Sequence, residues 1–416
     1  IVLLASLVQA GLAQQVTITY MNWFSSGAAA DVEREIIELF EATHPGIRVE
    51  KLAEVGVSAE GVWEKAAVMA AGDVAPDVVA VSLAVGLTAR QSGLLLDLRP
   101  YVERDGIDFS RFRPGWELTT GPESAWDGAI YGLPWGLGIL NLFYNKDMFA
   151  ERGVPDPYKG WTTGEYLDAL IRLTRDSNGD GIPEVYGSAP PYPFYNPWPF
   201  IFGGNIADPE TGRLTMTEPE FLAAIEWMRD VRANYHVTDW GAGGVTGFAA
   251  GQSGMTYQWD SYIGILLNDA NVSFNWSTTW APRGGGAETV SYGQGHILGI
   301  MKGSQNPDAA WEFVKFYYSP EAQRILGEYF LYPMTMDGMR AVTESLVFPD
   351  PLDGVEILMP YVDVGRLVTV PWWVPGVTEG FNAVVPDFEG QVVPGTMTPT
   401  EWVERFATAV RAAAQR

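Results

Sequence analysis

Between Val16 and Ser82 the chain alternates strand and helix signals, and that alternation restricts its fold more than any other feature. Val16 to Met21 reads Val-Thr-Ile-Thr-Tyr-Met, a β-branched alternation suited to a strand. From Asp31 onward, Val32, Ile36, Leu39 and Phe40 fall on one helical face, and Pro45 with Gly46 ends the run. Ile47–Leu52 reads as a second strand, Ala59–Ala71 as a second helix, and Asp77–Ser82 as a buried third strand. Such a βαβαβ run predicts a mainly parallel sheet flanked by helices on both faces, an α/β fold. At 416 residues the chain is too long for one compact core and is expected to divide into domains.

Asp and Glu number 51 against 26 Lys and Arg, for a formal net charge of −25. A chain so acidic repels phosphate backbones, and no basic stripe reverses this locally, which argues against nucleic-acid and anionic-lipid partners. There is no cysteine, which removes thiol catalysis, thiolate metal sites, disulfides and attachment through a lipidated cysteine. His44, His236 and His296 lie far apart and make no zinc-ligand spacing. Residues 1–13 are uncharged and rich in Leu, Val and Ala, with Gly11 and Ala13 placed as at a cleavage site. They read as a signal peptide remnant, so the protein is expected to be secreted to a periplasmic or extracytoplasmic location. No later segment offers the roughly 18 consecutive apolar residues of a membrane-spanning helix.

Several helix starts are legible. Thr162 with Glu165, Thr217 with Glu220, and Thr398 with Glu401 fit the capping box, and Ser319-Pro320 opens another helix. Between helices lie loops rich in Pro, Gly and aromatics, notably Ser188–Gly204, Gly241–Gly254 and Ala281–Gly295.

The middle of the chain carries a familiar order of motifs. Gly128-Ala129-Ile130-Tyr131-Gly132-Leu133-Pro134-Trp135 is followed by Leu142-Phe143-Tyr144-Asn145-Lys146-Asp147-Met148-Phe149, then by Trp161-Thr162-Thr163-Gly164-Glu165. Phe248-Ala249-Ala250-Gly251-Gln252-Ser253-Gly254-Met255, Leu298-Gly299-Ile300 and Asn306-Pro307-Asp308-Ala309-Ala310-Trp311 come later. In order and spacing these resemble the family-1 extracellular solute-binding proteins, the sugar-binding subunits of ABC importers, which include the maltose-binding proteins. The chain departs from that family's pattern at Tyr292-Gly293-Gln294-Gly295, where a Gly-Gly pair is usual, and at Gly254, where an Ala is usual.

The resemblance implies a two-lobed periplasmic-binding-protein fold, each lobe a mainly parallel sheet flanked by helices, with ligand held in the cleft. The first lobe would comprise 14–133 plus 281–318 and the second 134–280 plus 319–416. Crossings are expected near Leu133–Gly138, Thr278–Pro282 and Tyr317–Pro320. Its partners would be a small carbohydrate and the permease subunits of an ABC transporter, with the protein itself a monomer and not membrane-embedded.

A sugar offers weakly apolar C–H faces and a rim of hydroxyls, so its site needs aromatic platforms beside polar side chains. Aromatics make up 13% of the chain and Trp numbers 16, which supplies the platforms. Trp23 and Ser25 follow the first strand, and Ser82 ends the third; open α/β sheets bind ligands at such carboxyl ends. Trp135 sits at the first crossing, and Asn196 and Trp198 in an aromatic loop. Trp259 and Asp260 follow the Phe-x-x-Gly element, where the family often places a stacking aromatic. Tyr292 and Gln294 precede the late strand, and Trp372 and Trp373 fall in the last aromatic loop.

Asp176, Asn178 and Asp180 alternate ahead of Gly181, with the Ile182 carbonyl and Glu184 beyond, like the start of an EF-hand-like calcium loop. Position twelve is Gly187 rather than Glu, so a complete EF-hand is ruled out; the two readings are a structural calcium site and a plain turn after a helix. No cofactor is otherwise expected. The rival functional class is a glycan-active hydrolase, but no carboxylate pair stands out, and no GxSxG elbow or Walker loop is present. The expectation is a non-enzymatic binder, with polyols or phosphorylated sugars as the alternative ligands.

Overall fold

The computed structural model describes residues 15–24, 27–52, 58–113, 116, 128–188, 197–238, 244–285, 288–328, 333–345 and 347–415. The opening run forms as the sequence predicts: β1 (Val16–Met21), a helix over Gly27–Thr43, β2 (Ile47–Lys51), a helix over Ala59–Ala71, and β3 (Val78–Ser82). β1 pairs in parallel with both β2 and β3. Asp77 pins this corner, its carboxylate accepting from the Thr19 N–H at 2.8 Å and the Thr19 hydroxyl at 3.0 Å.

The later strands are β4 (Leu133–Asn145), β5 (Tyr186–Ser188), β6 (Ser253–Trp259), β7 (Trp276–Thr279), β8 (Val290–Ile300) and β9 (Arg366–Val368). They join the first three in one sheet of order β2-β1-β3-β8-β4-β6-β5, with β7 also on β4 and β9 on β8. At 13 and 11 residues, β4 and β8 are about twice the usual strand length. Their lengths have a purpose in the fold. Leu133–Leu140 pairs antiparallel with Leu298–Tyr292. The far end of β8 goes on to pair with β3, whereas the far end of β4 pairs with β6 and β7.

Each end enters a different core. Ile18, Tyr20, Val78, Leu298 and Ile300 pack against Val32, Ile36 and Phe40 of the first helix and Phe313 of a helix over Pro307–Phe316. Leu142, Tyr144, Met255 and Tyr292 pack against helices over Thr163–Leu173, Pro219–Tyr235 and Pro399–Ala413. The molecule is thus two lobes, with β4 and β8 running between them. A bulge between Pro134 and Gly136 interrupts the register as β4 leaves the first lobe.

Two expected crossings move. At Thr278–Pro282 the chain stays in the second lobe, since β7 pairs with the far half of β4 and Ala281 packs in the second core. The crossing strand is β8 itself, whose Val290 and Tyr292 lie in the second core and whose Leu298 lies in the first. The chain also does not cross at Tyr317–Pro320: Ala322, Ile325 and Leu326 of the helix over Pro320–Glu328 present an apolar face to the first core. Met334 still packs there, while Val342 packs with Ile139 and Ile357 in the second lobe, so the chain passes over between them.

Thr162 and Thr398 form complete capping boxes with Glu165 and Glu401. Thr217 does not, because Pro219 takes the first helical position and Glu218 becomes the cap, without a side-chain bond. Among the described residues no helix is long and apolar enough to cross a membrane. Residues 1–13, read as a signal peptide remnant, lie outside the described residues.

Candidate functional site

In an antiparallel pair, directly opposed residues share a face of the sheet, and alternate residues along a strand return to it. One face of β8 therefore carries Tyr292, Gln294 and His296. Their β4 partners are Leu140, Gly138 and Gly136, and Ser82 of β3 lies beside His296. The two glycines raise no side chain on this face, which leaves Gln294 as the polar side chain between Tyr292 and His296.

An aromatic group stands at each end. At the first-lobe end the Trp23 ring lies edge-on to Trp135 at 5.0 Å and to His296 at 4.8 Å, with Phe24 5.3 Å from Trp135. At the second-lobe end Trp259 lies 6.0 Å from Tyr292, which also meets Phe200 at 6.2 Å. Tyr292 and His296 are four residues apart, so the two groups are separated by about 13 Å along the strand. Trp135 and Tyr292 are buried, while Trp23, Trp259 and His296 are only half-buried and keep ring surface available.

A buried polar network braces the loop that presents Trp23. The Tyr20 hydroxyl donates to Glu33 Oε1 at 2.9 Å, and Asn22 Nδ2 donates to the Tyr20 hydroxyl at 2.6 Å. Asn22 Oδ1 in turn accepts the Phe24 N–H at 2.9 Å. Lys51 bonds both Glu33 and the Phe24 carbonyl. Burial holds the Glu33 carboxyl above its usual pKa, opposed first by the Lys51 charge. The network reaches the second platform too, because the Trp135 indole bonds the Tyr317 hydroxyl, itself 3.5 Å from that of Tyr20.

Of the residues expected at the site, Trp23, Ser82, Trp135, Trp259, Tyr292 and Gln294 are brought to this one face. The Ser82 hydroxyl is fully buried there and makes no hydrogen bond among the described residues. Ser25 and Asn196 lie outside the described residues.

Four others are placed elsewhere. Trp198 is enclosed by Trp227, Tyr166 and Tyr257, with ring separations of 4.2, 5.4 and 5.9 Å, in the second core. Trp372 lies edge-on to Phe381, and the Trp373 indole donates to the Pro209 carbonyl at 3.2 Å; both are core residues. Asp260 is buried on the opposite side of β4 from Tyr292, its N–H on the Ile139 carbonyl at 3.1 Å and its charge felt by Arg113 and Tyr361.

In the Asp176–Glu184 turn the acidic side chains bend onto backbone amides. Asp176 accepts from Gly179 and Gly181 at 2.7 and 2.9 Å, and Glu184 from Ser177 at 2.7 Å. Among the described residues no group of three His, Cys, Asp or Glu side chains is arranged to hold a metal ion.

His296 was missed by the sequence reading. The period-two step from Tyr292 through Gln294 points to it. Burial holds its pKa down at about 4, so near neutrality the imidazole is uncharged and offers one donor and one acceptor.

A two-lobed α/β molecule with long crossing strands between its lobes has the periplasmic-binding-protein fold. The chain belongs to the bacterial extracellular solute-binding protein family, whose model matches residues 25–324. It is similar to an ABC substrate-binding protein of Listeria monocytogenes in complex with cycloalternan, at 20% identity and TM-score 0.79, covering 96% of this chain and 98% of that one. It is equally similar in structure to UgpB of Mycobacterium tuberculosis in complex with glycerophosphocholine, at 18% identity and TM-score 0.79, with the same coverages, 96% and 98%. A curated binding protein of Brucella abortus is 22% identical over 223 residues, 52% of this chain and 53% of that protein. The chain thus spans about half the length of the curated relatives it matches first.

Proposed function

We propose that this chain is the extracytoplasmic substrate-binding component of an ABC importer. It captures a neutral carbohydrate, from mono- to oligosaccharide, between its lobes and delivers it unchanged to a membrane permease. The observation that carries this reading is the pairing of half-buried Trp rings at both ends of one face, Trp23 in the first lobe and Trp259 in the second, with Gln294 between. Flat rings suit the C–H faces of a sugar, and amide and hydroxyl groups suit its rim. The separation of the two aromatic groups exceeds one pyranose ring, so a chain of sugars can touch both lobes and favour closure.

A neutral ligand is supported by the charges present. His296 is uncharged near neutrality, and Lys51, the cation that reaches the Trp23 loop, is already engaged by Glu33 and the Phe24 carbonyl. A polyol or a glycerophosphodiester is the alternative, favoured by the structural likeness to UgpB with glycerophosphocholine. The protein would be exported by a cleaved signal peptide and act as a monomer.

A thermal-shift screen against maltodextrins, monosaccharides, polyols and glycerophosphodiesters tests this. A ligand bound only by the folded state adds about 2.7 kcal/mol at a hundred times its dissociation constant, a rise of several degrees. The expected result is a shift with a neutral sugar class and no product after long incubation. A shift with phosphodiesters alone would overturn the carbohydrate reading, and turnover of a glycan would overturn the binder reading.

A further inference from the structure

Two buried charges from different lobes meet beside β4 at the passage. Arg113 belongs to the first lobe: Phe112 packs in that core, and the Arg113 N–H donates to the Met334 carbonyl at 2.9 Å. Arg113 is only 4% exposed, and its guanidinium reaches the carbonyls of Leu137 and Pro333 at 3.4 and 3.5 Å, long contacts for a charged donor. Asp260 belongs to the second lobe, following β6, and is 1% exposed. Its Oδ1 accepts the Ser261 N–H at 3.1 Å, while its Oδ2 has no hydrogen-bond partner among the described residues.

Leu137 and Ile139 hold these two residues through their carbonyls. Two residues apart on one strand, those carbonyls leave the same edge of β4 about 7 Å from each other. Arg113 and Asp260 act on each other's charge across that gap. A buried charge without its partner is costly, and joining the two relieves both.

We propose that Arg113 and Asp260 form a latch between the lobes, which engages when rotation about β4 and β8 opens the cleft and so holds the ligand-free protein open. Asp260 lies on the side of β4 that carries Ile139 and Tyr361, opposite the face of Tyr292, Gln294 and Trp259. Groups behind a hinge approach as those in front of it separate.

The latch responds to pH through Asp260. The groups facing that carboxylate are Arg113, from the segment before β4, and Tyr361, from the helix over Gly354–Val362. Tyr361 is itself held neutral, its pKa raised chiefly by burial. Burial lifts the Asp260 carboxyl to about 7, with Arg113 opposing the rise. Contact with Arg113 in the open form favours the carboxylate further, so protonation at lower pH releases the latch and shifts the protein toward closure.

The cysteine-free chain permits a clean test. Glu38→Cys on the first helix and Glu404→Cys on the last, both exposed, take a donor and acceptor dye on opposite lobes. Single-molecule energy transfer is read without ligand at about pH 5.5 and about pH 8.5, either side of the Asp260 midpoint. The parent is expected to shift to shorter inter-lobe separations at the acid pH. Asp260→Asn and Arg113→Met are expected to give the acid distribution at both. A parent that does not respond to pH, or a folded variant that keeps the parental response, overturns the latch. Circular dichroism melts verify folding, and Arg113→Gln, which keeps a donor for the carbonyls, serves if Asp260→Asn does not fold. No ligand enters the measurement, so the outcome is independent of the carbohydrate proposal.

Discussion

Replacing Glu33 tests whether the buried network holds the Trp23 platform in place. Glu33 accepts from Tyr20, Asn22 and Lys51, and its side chain is 1% exposed against 17% for Lys51. Glu33→Ala leaves the buried Tyr20 hydroxyl without its carboxylate acceptor and Lys51 without its counter-charge. Removing one partner of a buried pair costs about 3–5 kcal/mol, and partial exposure of Lys51 puts this case near the lower end, about 3 kcal/mol. Glu33→Gln keeps an acceptor for Tyr20 and Asn22 and sheds a charge that burial already disfavours, so its loss should be about 1 kcal/mol. Urea unfolding at neutral pH measures both. Because Phe24 is tied to Asn22 and Lys51, both variants should also weaken binding of whichever sugar the screen identifies, Glu33→Ala more. Equal losses below about 1 kcal/mol, or an unchanged dissociation constant for Glu33→Ala, would refute the bracing role.

The two kinds of tryptophan should separate by assay. Trp198→Ala, in the core, is expected to lose about 3–5 kcal/mol of stability; Trp23→Ala should lose under about 2 kcal/mol yet weaken sugar binding tenfold or more. His296 has a folded pKa depressed to about 4, so the stability it confers is complete above its unfolded value near 6.5 and is lost as pH falls through 4. His296→Gln should flatten that acid limb in urea titrations at stepped pH, and a limb of unchanged steepness would count against the burial argument. For the Asp176–Glu184 turn, whose carboxylates are engaged by amides, millimolar calcium is expected to leave the melting temperature unchanged. A rise that a chelator reverses would restore the calcium reading.

The opening βαβαβ run was legible because its signals are local: period two in Val16–Met21 and a helical face of Val32, Ile36 and Phe40 lie within single elements. The crossings were not, because β8 is buried at both ends and its composition does not change where the lobe does. A Ser-Pro helix start likewise reads the same whether the helix that follows stays in its lobe or leaves it. The tryptophans could not be sorted in the sequence for a related reason. A core Trp and a platform Trp are the same residue, and what separates Trp198 from Trp259 is Trp227, which closes over one ring and not the other.

Asp260 and His296 mark the physical limit most sharply. Asp260 adjoins Trp259 in sequence, but the chain turns where β6 ends, and Asp260 is buried on the other side of β4 with its N–H on the Ile139 carbonyl. His296 lies two steps beyond Gln294, on the same face as Tyr292 and Gln294. What distinguishes that face is the pair of glycines across from it, Gly136 and Gly138, matched to His296 and Gln294 by a register that only the β4–β8 pairing defines. Insertion of one residue within Leu137–Leu140 would turn the remainder of β4 over and exchange the cleft-facing and latch-facing side chains. The passage between the lobes thus sets binding face and hinge together.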